Sequence, residues 1–283
     1  MNIAIIGLGE VGRCLASHLI AQGGTPQLCE ARPSPAALHL AEAAGIGIEA
    51  MPGPWLAGAD WVFSCVTGAV SLAVAESALP FLAHGQRYAD LTTASPDSKR
   101  RAARRAAAAG IDYVDVAIMG SIAMLGPRTP LLAAGAEAAA FCSLINSTGG
   151  RASCVADGQP GDAIALKFMR SMFTKGLEAL AVELLVYAER AGARAQLFAQ
   201  LQDIDDMPLK TLLEGLVRTH VIHARRRAHE VEEAAREMAS HGLSSLVLPG
   251  VAQRFQATVA QVGDRPLAAA DVSLEQALEW LGV

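Results

Sequence analysis

Aromatic side chains are scarce in this chain: Phe, Trp and Tyr together make up 5% of its 283 residues. A core of ordinary density is then expected to be filled mainly by small aliphatic side chains. Basic residues are not in excess either. The formal net charge of −5 provides no broad positive surface of the kind that nucleic acid demands, so no nucleic-acid partner is expected. The five cysteines, Cys14, Cys29, Cys65, Cys142 and Cys154, are odd in number, widely spaced and without a CxxC pair. That pattern fits neither a zinc site nor a disulfide framework, and reduced thiols in a cytoplasmic setting are expected. His18, His39, His84 and His241 have no partners at ligand spacing, so no metal is expected.

Long uncharged apolar runs are missing too. The best candidate, about residues 163–188, carries Lys167, Arg170, Lys175, Glu178 and Glu183, more charge than a membrane span tolerates. It reads as a buried helix, and no membrane partner is expected. The chain opens directly on a strand-like run, without the basic stretch, apolar stretch and cleavage site of a secretory leader.

What the chain does contain is alternation. Short β-rich runs (Asn2–Ile6, Gln27–Glu30, Trp61–Val66, Arg87–Leu91, Tyr113–Ala117 and Leu131–Ala134) are separated by Ala-rich helical stretches such as Val11–Gln22, Pro35–Ala44, Val70–Leu79 and Pro96–Ala109. This is the pattern of a parallel sheet covered on both faces. After Gly158-Gln159-Pro160-Gly161 no convincing strand follows, and apolar residues recur at helical spacing almost to Arg190. Three or four further helices are expected, with breaks near Pro208, His241-Gly242 and Pro249-Gly250. The expected architecture is α/β: a doubly wound domain over residues 1–160, then an all-α substrate and oligomerisation domain over 161–283, led by one long interdomain helix.

The first strand runs straight into Gly7-Leu8-Gly9-Glu10-Val11-Gly12, a G-x-G-x-x-G turn that opens a helix. In that setting the first glycine permits the turn and the second lets the backbone approach a pyrophosphate. The third allows close helix–strand packing, and the helix N-terminus faces the phosphates. With strand, turn, helix and second strand all present, this is a Rossmann-type dinucleotide site. Glu30, at the end of the second strand, is placed to accept the adenosine ribose hydroxyls and to repel the 2′-phosphate of NADP. NAD is the expected cofactor, and Arg32, which could hold that phosphate, keeps NADP open. Val66 and Thr67, after the strand beginning at Trp61, complete the expected cofactor contacts on this side.

Four blocks in order resemble the β-hydroxyacid dehydrogenase superfamily, which includes 6-phosphogluconate and 3-hydroxyisobutyrate dehydrogenases. They are the glycine turn; Asp90-Leu91-Thr92-Thr93-Ala94-Ser95-Pro96; Tyr113-Val114-Asp115-Val116-Ala117-Ile118-Met119-Gly120-Ser121; and Gly158-Gln159-Pro160-Gly161 through Lys167. The resemblance implies that Thr93 lies beside the nicotinamide ribose, that Met119, Gly120 and Ser121 form the substrate loop, and that Lys167 is the catalytic proton-transfer group. It also implies a homodimer through the helical domain. The C-terminal part is similar to a less-studied subgroup, and His223 or Arg226 could point toward a substrate there.

The departures bear on substrate. Met119 stands where the family has serine, Arg170 and Ser171 where it has His or Asn followed by Asn, and Thr174 where 6-phosphogluconate dehydrogenase has a glutamate used in decarboxylation. Arg170, three residues from Lys167, is expected to share its helix face, to bind an anionic group of the substrate and to depress the lysine's pKa by like charge. The basic run Lys99, Arg100, Arg101, Arg104 and Arg105 reads as the solvated face of a crossover helix. The expected activity is NAD(P)-dependent hydride transfer to or from a small, anionic hydroxy acid. Two other activities stay open: a C=N or C=C reductase on the same scaffold, against which Lys167 argues because imine reductases generally replace it, and a non-catalytic NAD(H) sensor.

Overall fold

The computed structural model describes residues 1–264 and 271–282. Its N-terminal part is one eight-stranded sheet: β1 (Ile3–Ile6), β2 (Gln27–Cys29), β3 (Ile48–Glu49), β4 (Trp61–Ser64), β5 (Arg87–Asp90), β6 (Asp112–Ile118), β7 (Leu131–Ala134) and β8 (Ala152–Cys154). The spatial order is β3-β2-β1-β4-β5-β6-β7-β8. The connections reverse direction beside β1, which lies between β2 and β4, and ligands of open α/β sheets bind outside such a switch point. The helices of this part are α1 (Glu10–Ala21), α2 (Pro35–Ala44), α3 (Ser71–Ala78), α4 (Pro96–Ala108), the single turn α5 (Ile122–Leu125) and α6 (Ala138–Ser147). Two of them start on a serine cap followed by proline. Ser34 Oγ accepts the Ala37 N–H and Ser95 Oγ the Ser98 N–H, while the proline occupies a position whose N–H would have no helical partner.

The expected sheet is present, with two differences. β6 and β7 pair antiparallel because the segment between Ile118 and Leu131 holds only the one-turn helix α5 and a 3-10 turn at Gly126–Arg128, not the full crossover that a parallel neighbour needs. β3 and β8 were not anticipated, since two or three residues are too few to establish a period of two. Successive residues of β1 alternate between faces: Ile3 and Ile5 join Trp61, Phe63 and Phe141 on one side, while Ala4 and Ile6 join Val62, Tyr88 and Tyr113 on the other. Alanine, valine, isoleucine and leucine make up most of the buried apolar residues, as the scarcity of aromatics implied. The buried aromatics of the sheet pack among them, with Phe141 edge-on to Trp61 and Phe63 at centroid distances of 5.8 and 5.6 Å, and Tyr88 stacked on Tyr113 at 5.9 Å.

The long helix α7 spans Asp162–Arg190. The chain forms two compact units, Met1–Met172 and Phe173–Val283, so the division falls inside α7. The second unit continues with α8 (Arg194–Gln200), α9 (Gln202–Asp205), α10 (Leu209–Ser240), α11 (Leu248–Asp264) and α12 (Leu274–Leu281). Pro249-Gly250 is no break; it lies in the first turn of α11, where proline is tolerated. A small core of Val221, Val272, Ala277 and Trp280 joins α10 to α12. Glu183 of α7 accepts the N–H groups of Leu246 and Val247 at 2.7 and 3.1 Å, holding the entry to α11.

One expectation about α7 fails for the single chain. It is not a buried helix: Met172 is 77% exposed and Val182 60%, and Leu177 and Val186 are exposed as well. Among the described residues no helix is long and apolar enough to cross a membrane.

Candidate active site

The glycine turn leaves β1 and enters α1 as expected. A Cβ on Gly12 would fall 1.8 Å from the Gly7 carbonyl oxygen, whereas a Cβ on Gly9 would meet nothing within 4 Å. The first is required for helix and turn to touch; the second faces open space. Gly9 is also the N-cap of α1, and no side chain caps that end. The first-turn N–H groups are thus left for an anion, with the positive end of the helix dipole behind them. Glu10 is exposed at this end, and Val11 packs against the core. Leu8 has a different part. Its side chain is buried, its N–H is donated to Glu30 Oε2 at 2.8 Å, and its carbonyl accepts Arg13 Nη1 at 2.9 Å.

Glu30 therefore holds the turn closed as well as lining the cleft beside it. Its other oxygen accepts the Arg32 N–H at 3.1 Å, and a carboxylate with about four acceptor sites keeps capacity for ribose hydroxyls. The cleft beside it, about 460 Å³, is lined by Gly7, Gly9, Glu30, Pro52, Val66 and Thr67 among others. It suits the adenosine half of a dinucleotide: apolar walls, one carboxylate and a helix N-terminus. Pro52 and its neighbours Ala50 and Met51 reach it from the loop after β3, which the sequence reading had not assigned. Arg32 is exposed, and among the described residues its guanidinium has no carboxylate partner.

The charged centre of this unit lies behind the cleft. Lys99 belongs to the basic run of α4, yet its side chain is 0% exposed. This corrects the solvated-face reading for that one residue: Arg100, Arg101, Arg104 and Arg105 are exposed, but Lys99 shares the inward stripe of Ala102 and Ala106. The spacing 99, 102, 106 is helical, and that pattern could have revealed it. Lys99 Nζ lies 2.7 Å from Asp115 Oδ1 and 3.6 Å from Asp90 Oδ1, and it donates to the Asp90 carbonyl at 2.8 Å. Asp90 is further held by Tyr113 Oη–H at 2.6 Å, Ser71 Oγ–H at 2.8 Å and the Thr92 N–H at 2.8 Å. Burial alone would raise the Asp90 pKa; the Lys99 charge and the bonds from Tyr113 and Thr92 outweigh it and hold the carboxyl below its ordinary value. Asp115 Oδ2 accepts the N–H groups of Gly161 and Ile164 at 3.0 and 3.1 Å, satisfying donors at the start of α7 that no helical carbonyl can reach.

Lys99 thus ties together the two segments that meet at Lys167. The Asp90 loop carries Thr93, α7 carries Lys167, and Lys167 Nζ donates to Thr93 Oγ1 at 2.9 Å. Burial, and then the Lys99 charge, lower the Lys167 pKa from its usual value. The like charge assigned in the sequence to Arg170 comes from Lys99; Arg170 itself is exposed. A second contact links Thr93 to the cleft. A Cβ on Gly68 would lie 2.5 Å from the Thr93 carbonyl oxygen, so the loop of Val66 and Thr67 closes on the Asp90 loop only because residue 68 is glycine. In the expected substrate loop, Met119 packs against Ala117, Ala134, Ala163 and Ile164, and its N–H is donated to the Pro130 carbonyl at 2.8 Å. That donor is already used; Gly120 and Ser121 follow it as exposed residues. His223 and Arg226 lie on α10 in the other unit, where Arg226 pairs with Glu230. Among the described residues no group of three His, Cys, Asp or Glu side chains is placed to hold a metal ion.

Residues 2–147, more than half of the chain, match the family described as the NAD-binding domain of 6-phosphogluconate dehydrogenase. Residues 188–258 match a domain of unknown function, DUF1932. A curated relative, an uncharacterized 28.5 kDa protein from Methanothermus fervidus, is 26% identical over 90% of this chain and 98% of its own length. Among solved structures, a conserved protein described as structurally similar to 3-hydroxyacid dehydrogenases is 27% identical, with 92% of this chain and 97% of that chain covered and a TM-score of 0.63. An imine reductase from Aspergillus terreus, solved with NADPH4, is 21% identical over 92% of this chain and 94% of its own, with a TM-score of 0.75. At that identity the likeness concerns the fold.

The Lys99 cluster makes a definite prediction. Removing one partner of a buried ion pair strands the others, and Lys99→Met is expected to cost about 3–5 kcal/mol of unfolding free energy, measured by urea denaturation at neutral pH. The acid side carries the sign of the Asp90 shift. A carboxyl with a lowered folded pKa stabilises fully above its unfolded value and loses that contribution as pH falls through the folded one. The stability difference between wild type and Lys99→Met is therefore expected to be largest near neutral pH and to narrow as pH falls through the Asp90 ionisation. A loss below about 1 kcal/mol, within the range of an exposed pair, would show that the cluster does not constrain the fold.

Proposed function

The chain belongs to the family of the NAD-binding domain of 6-phosphogluconate dehydrogenase, and from that premise we propose that it is an NAD(P)-dependent dehydrogenase of a small, anionic hydroxy acid, with Lys167 as its proton-transfer group. The observation that carries this reading is the half-buried Lys167 ammonium held on Thr93 Oγ1 at 2.9 Å, beside the Thr67–Gly68 loop of the nucleotide cleft. Nicotinamide, when bound, supplies the hydride acceptor or donor. The first-turn N–H groups of α1 would hold its pyrophosphate and Glu30 its adenosine ribose. Oxidation of a carbinol carbon also requires the hydroxyl proton to leave. A lysine can take that proton only if its pKa is lowered toward working pH, and burial and the Lys99 charge both act in that direction. In the reverse direction the ammonium returns the proton to the forming alkoxide. Arg170 lies one helical turn further on, and its two parallel N–H donors fit a substrate carboxylate.

The test is a panel of hydroxy acids, together with cyclic imines and carbonyl–amine pairs, assayed with both cofactors. Turnover of hydroxy acids is expected. Lys167→Met is expected to lose at least about a hundredfold in kcat while still binding cofactor. The wild-type pH–rate profile in the oxidising direction should rise through an ionisation below about 10.4 that the mutant lacks. Arg170→Met should instead raise KM for the acid. Turnover confined to C=N substrates would replace the reading with a reductase, and cofactor binding with no turnover would make the chain a sensor. A Lys167→Met enzyme keeping more than about a tenth of wild-type kcat would remove the lysine from the mechanism.

Within this proposal NAD is preferred over NADP, because the Glu30 carboxylate opposes a 2′-phosphate. Since Glu30 also accepts the Leu8 N–H, Glu30→Gln is the informative change: it keeps an acceptor oxygen and removes the charge. The ratio of NADP to NAD dissociation constants is expected to fall at least about tenfold, the equivalent of 1.4 kcal/mol of removed repulsion. Tighter NADP binding by the wild type would transfer the role to Arg32, the exposed cation nearby.

The same proposal includes a homodimer in which a second copy covers the exposed apolar residues of α7, Leu177, Val182 and Val186 among them. Light scattering should give twice the chain mass, and Val182→Glu combined with Val186→Glu should give the monomer. A monomeric wild type at micromolar concentration would contradict it.

A further inference from the structure

Two of the five thiols sit against one another away from the site described above. Cys142 lies in α6 and Cys154 ends β8, and their Sγ atoms are 2.8 Å apart. Twelve residues of sequence separate them, and the spacing rules that exclude a zinc site take no account of a helix folding back onto an edge strand. The two are also unequal: Cys142 is buried and Cys154 exposed. The segment between them is already tied to the same place, since Asn146 exchanges hydrogen bonds with both backbone groups of Ala152, at 2.7 and 3.0 Å. Among the described residues β8 is an edge strand, paired with β7, and Asn146 of α6 holds the backbone of its first residue.

We propose that Cys142 and Cys154 form an oxidisable dithiol, which a low-molecular-weight disulfide closes into an intramolecular bond that pins β8 to α6. The order of events follows from exposure. The Cys154 thiol loses its proton, and its sulfur attacks one sulfur of the small disulfide. That S–S bond breaks, one small thiol departs with a proton, and a mixed disulfide remains on Cys154. Cys142 then gives up its proton and attacks Cys154 Sγ, expelling the second small thiol. Two protein thiols are oxidised and one disulfide is reduced to two thiols, so atoms and electrons balance. Cys142 suits the second step and not the first: it is shielded from a bulky oxidant, and burial, together with its contact to Cys154, pushes its thiol up to about 12, which leaves little thiolate to begin an exchange.

The experiment uses the full chain with oxidised glutathione as the oxidant. After reaction, alkylation of remaining thiols and digestion without reductant are expected to yield a Cys142–Cys154 cross-linked peptide, with Cys29 and Cys65 alkylated once the protein is unfolded. Cys142→Ser is expected to stop at glutathione on Cys154, and Cys154→Ser to take up none at Cys142. Closing the loop removes freedom from the unfolded chain, and the oxidised protein should melt roughly 3–10 °C above the reduced one. Recovery of both residues as alkylated thiols, persistence of the glutathione adduct in the wild type, a bond between two chains, or an unchanged melting temperature would each overturn the proposal. The wild-type result needs no variant, so a misfolded serine mutant does not obscure it.

Discussion

A buried ammonium with two carboxylates is the constraint on which the nucleotide-binding unit turns. Taking Lys99, Asp90 and Asp115 out of water costs several kcal/mol for each ion, and that cost is offset only if nearly every lone pair and proton finds a partner. The partners are drawn from separate segments: Ser71 from α3, Thr92 from the loop after β5, Tyr113 from β6, Gly161 and Ile164 from the start of α7. Each bond fixes its segment relative to Lys99. The arrangement is therefore stiff where loops would otherwise drift, and Thr93 and Lys167 meet because both hang from it. A network of this kind contributes more to geometry than to net stability, since a well-packed apolar substitute for all three charges can be as stable.

Much of this was legible in the sequence, and the rest was not for identifiable reasons. The glycine turn, Glu30 and the strands of the central sheet carry strong local signals: special backbone positions, helix starts on Ser-Pro, and runs such as Ile3–Ile6 and Trp61–Ser64 buried on both faces. β3 and β8 carry too few residues for a period. The antiparallel turn at β7 depends on the length of a loop, which says what cannot happen more than what does. Lys99 was hidden by its neighbours: in a run of five basic residues, only its register with Ala102 and Ala106 separates it from the exposed four. The exposure of α7 is a different case. An apolar composition forecasts burial, but it does not say by which chain.

Glu30 illustrates how one residue can carry structure and specificity together. A carboxylate at the end of β2 was expected for its charge toward a cofactor, yet half of its acceptor capacity is spent on the N–H groups of Leu8 and Arg32. The same bonds that fix the carboxylate beside the cleft also close the glycine turn. Gly68 does comparable work without any charge, since its missing Cβ admits the Thr93 carbonyl and brings the cofactor-side loop to the lysine-side loop. The turn, the two loops and the start of α7 are thus held in one rigid arrangement, the kind of pre-organisation on which a site depends.

The central claim is that Lys99 couples the Asp90 loop to the start of α7. Native-state hydrogen exchange of wild type and Lys99→Met, resolved by amide, tests it most directly. The account predicts that the amides of Thr92 in the loop and of Gly161 and Ile164 in α7 lose protection together and by similar factors. Amides of β1 and α1 should change only by the loss of global stability. Protection lost evenly throughout the sheet, or lost in one of the two segments while the other is unaffected, would contradict it.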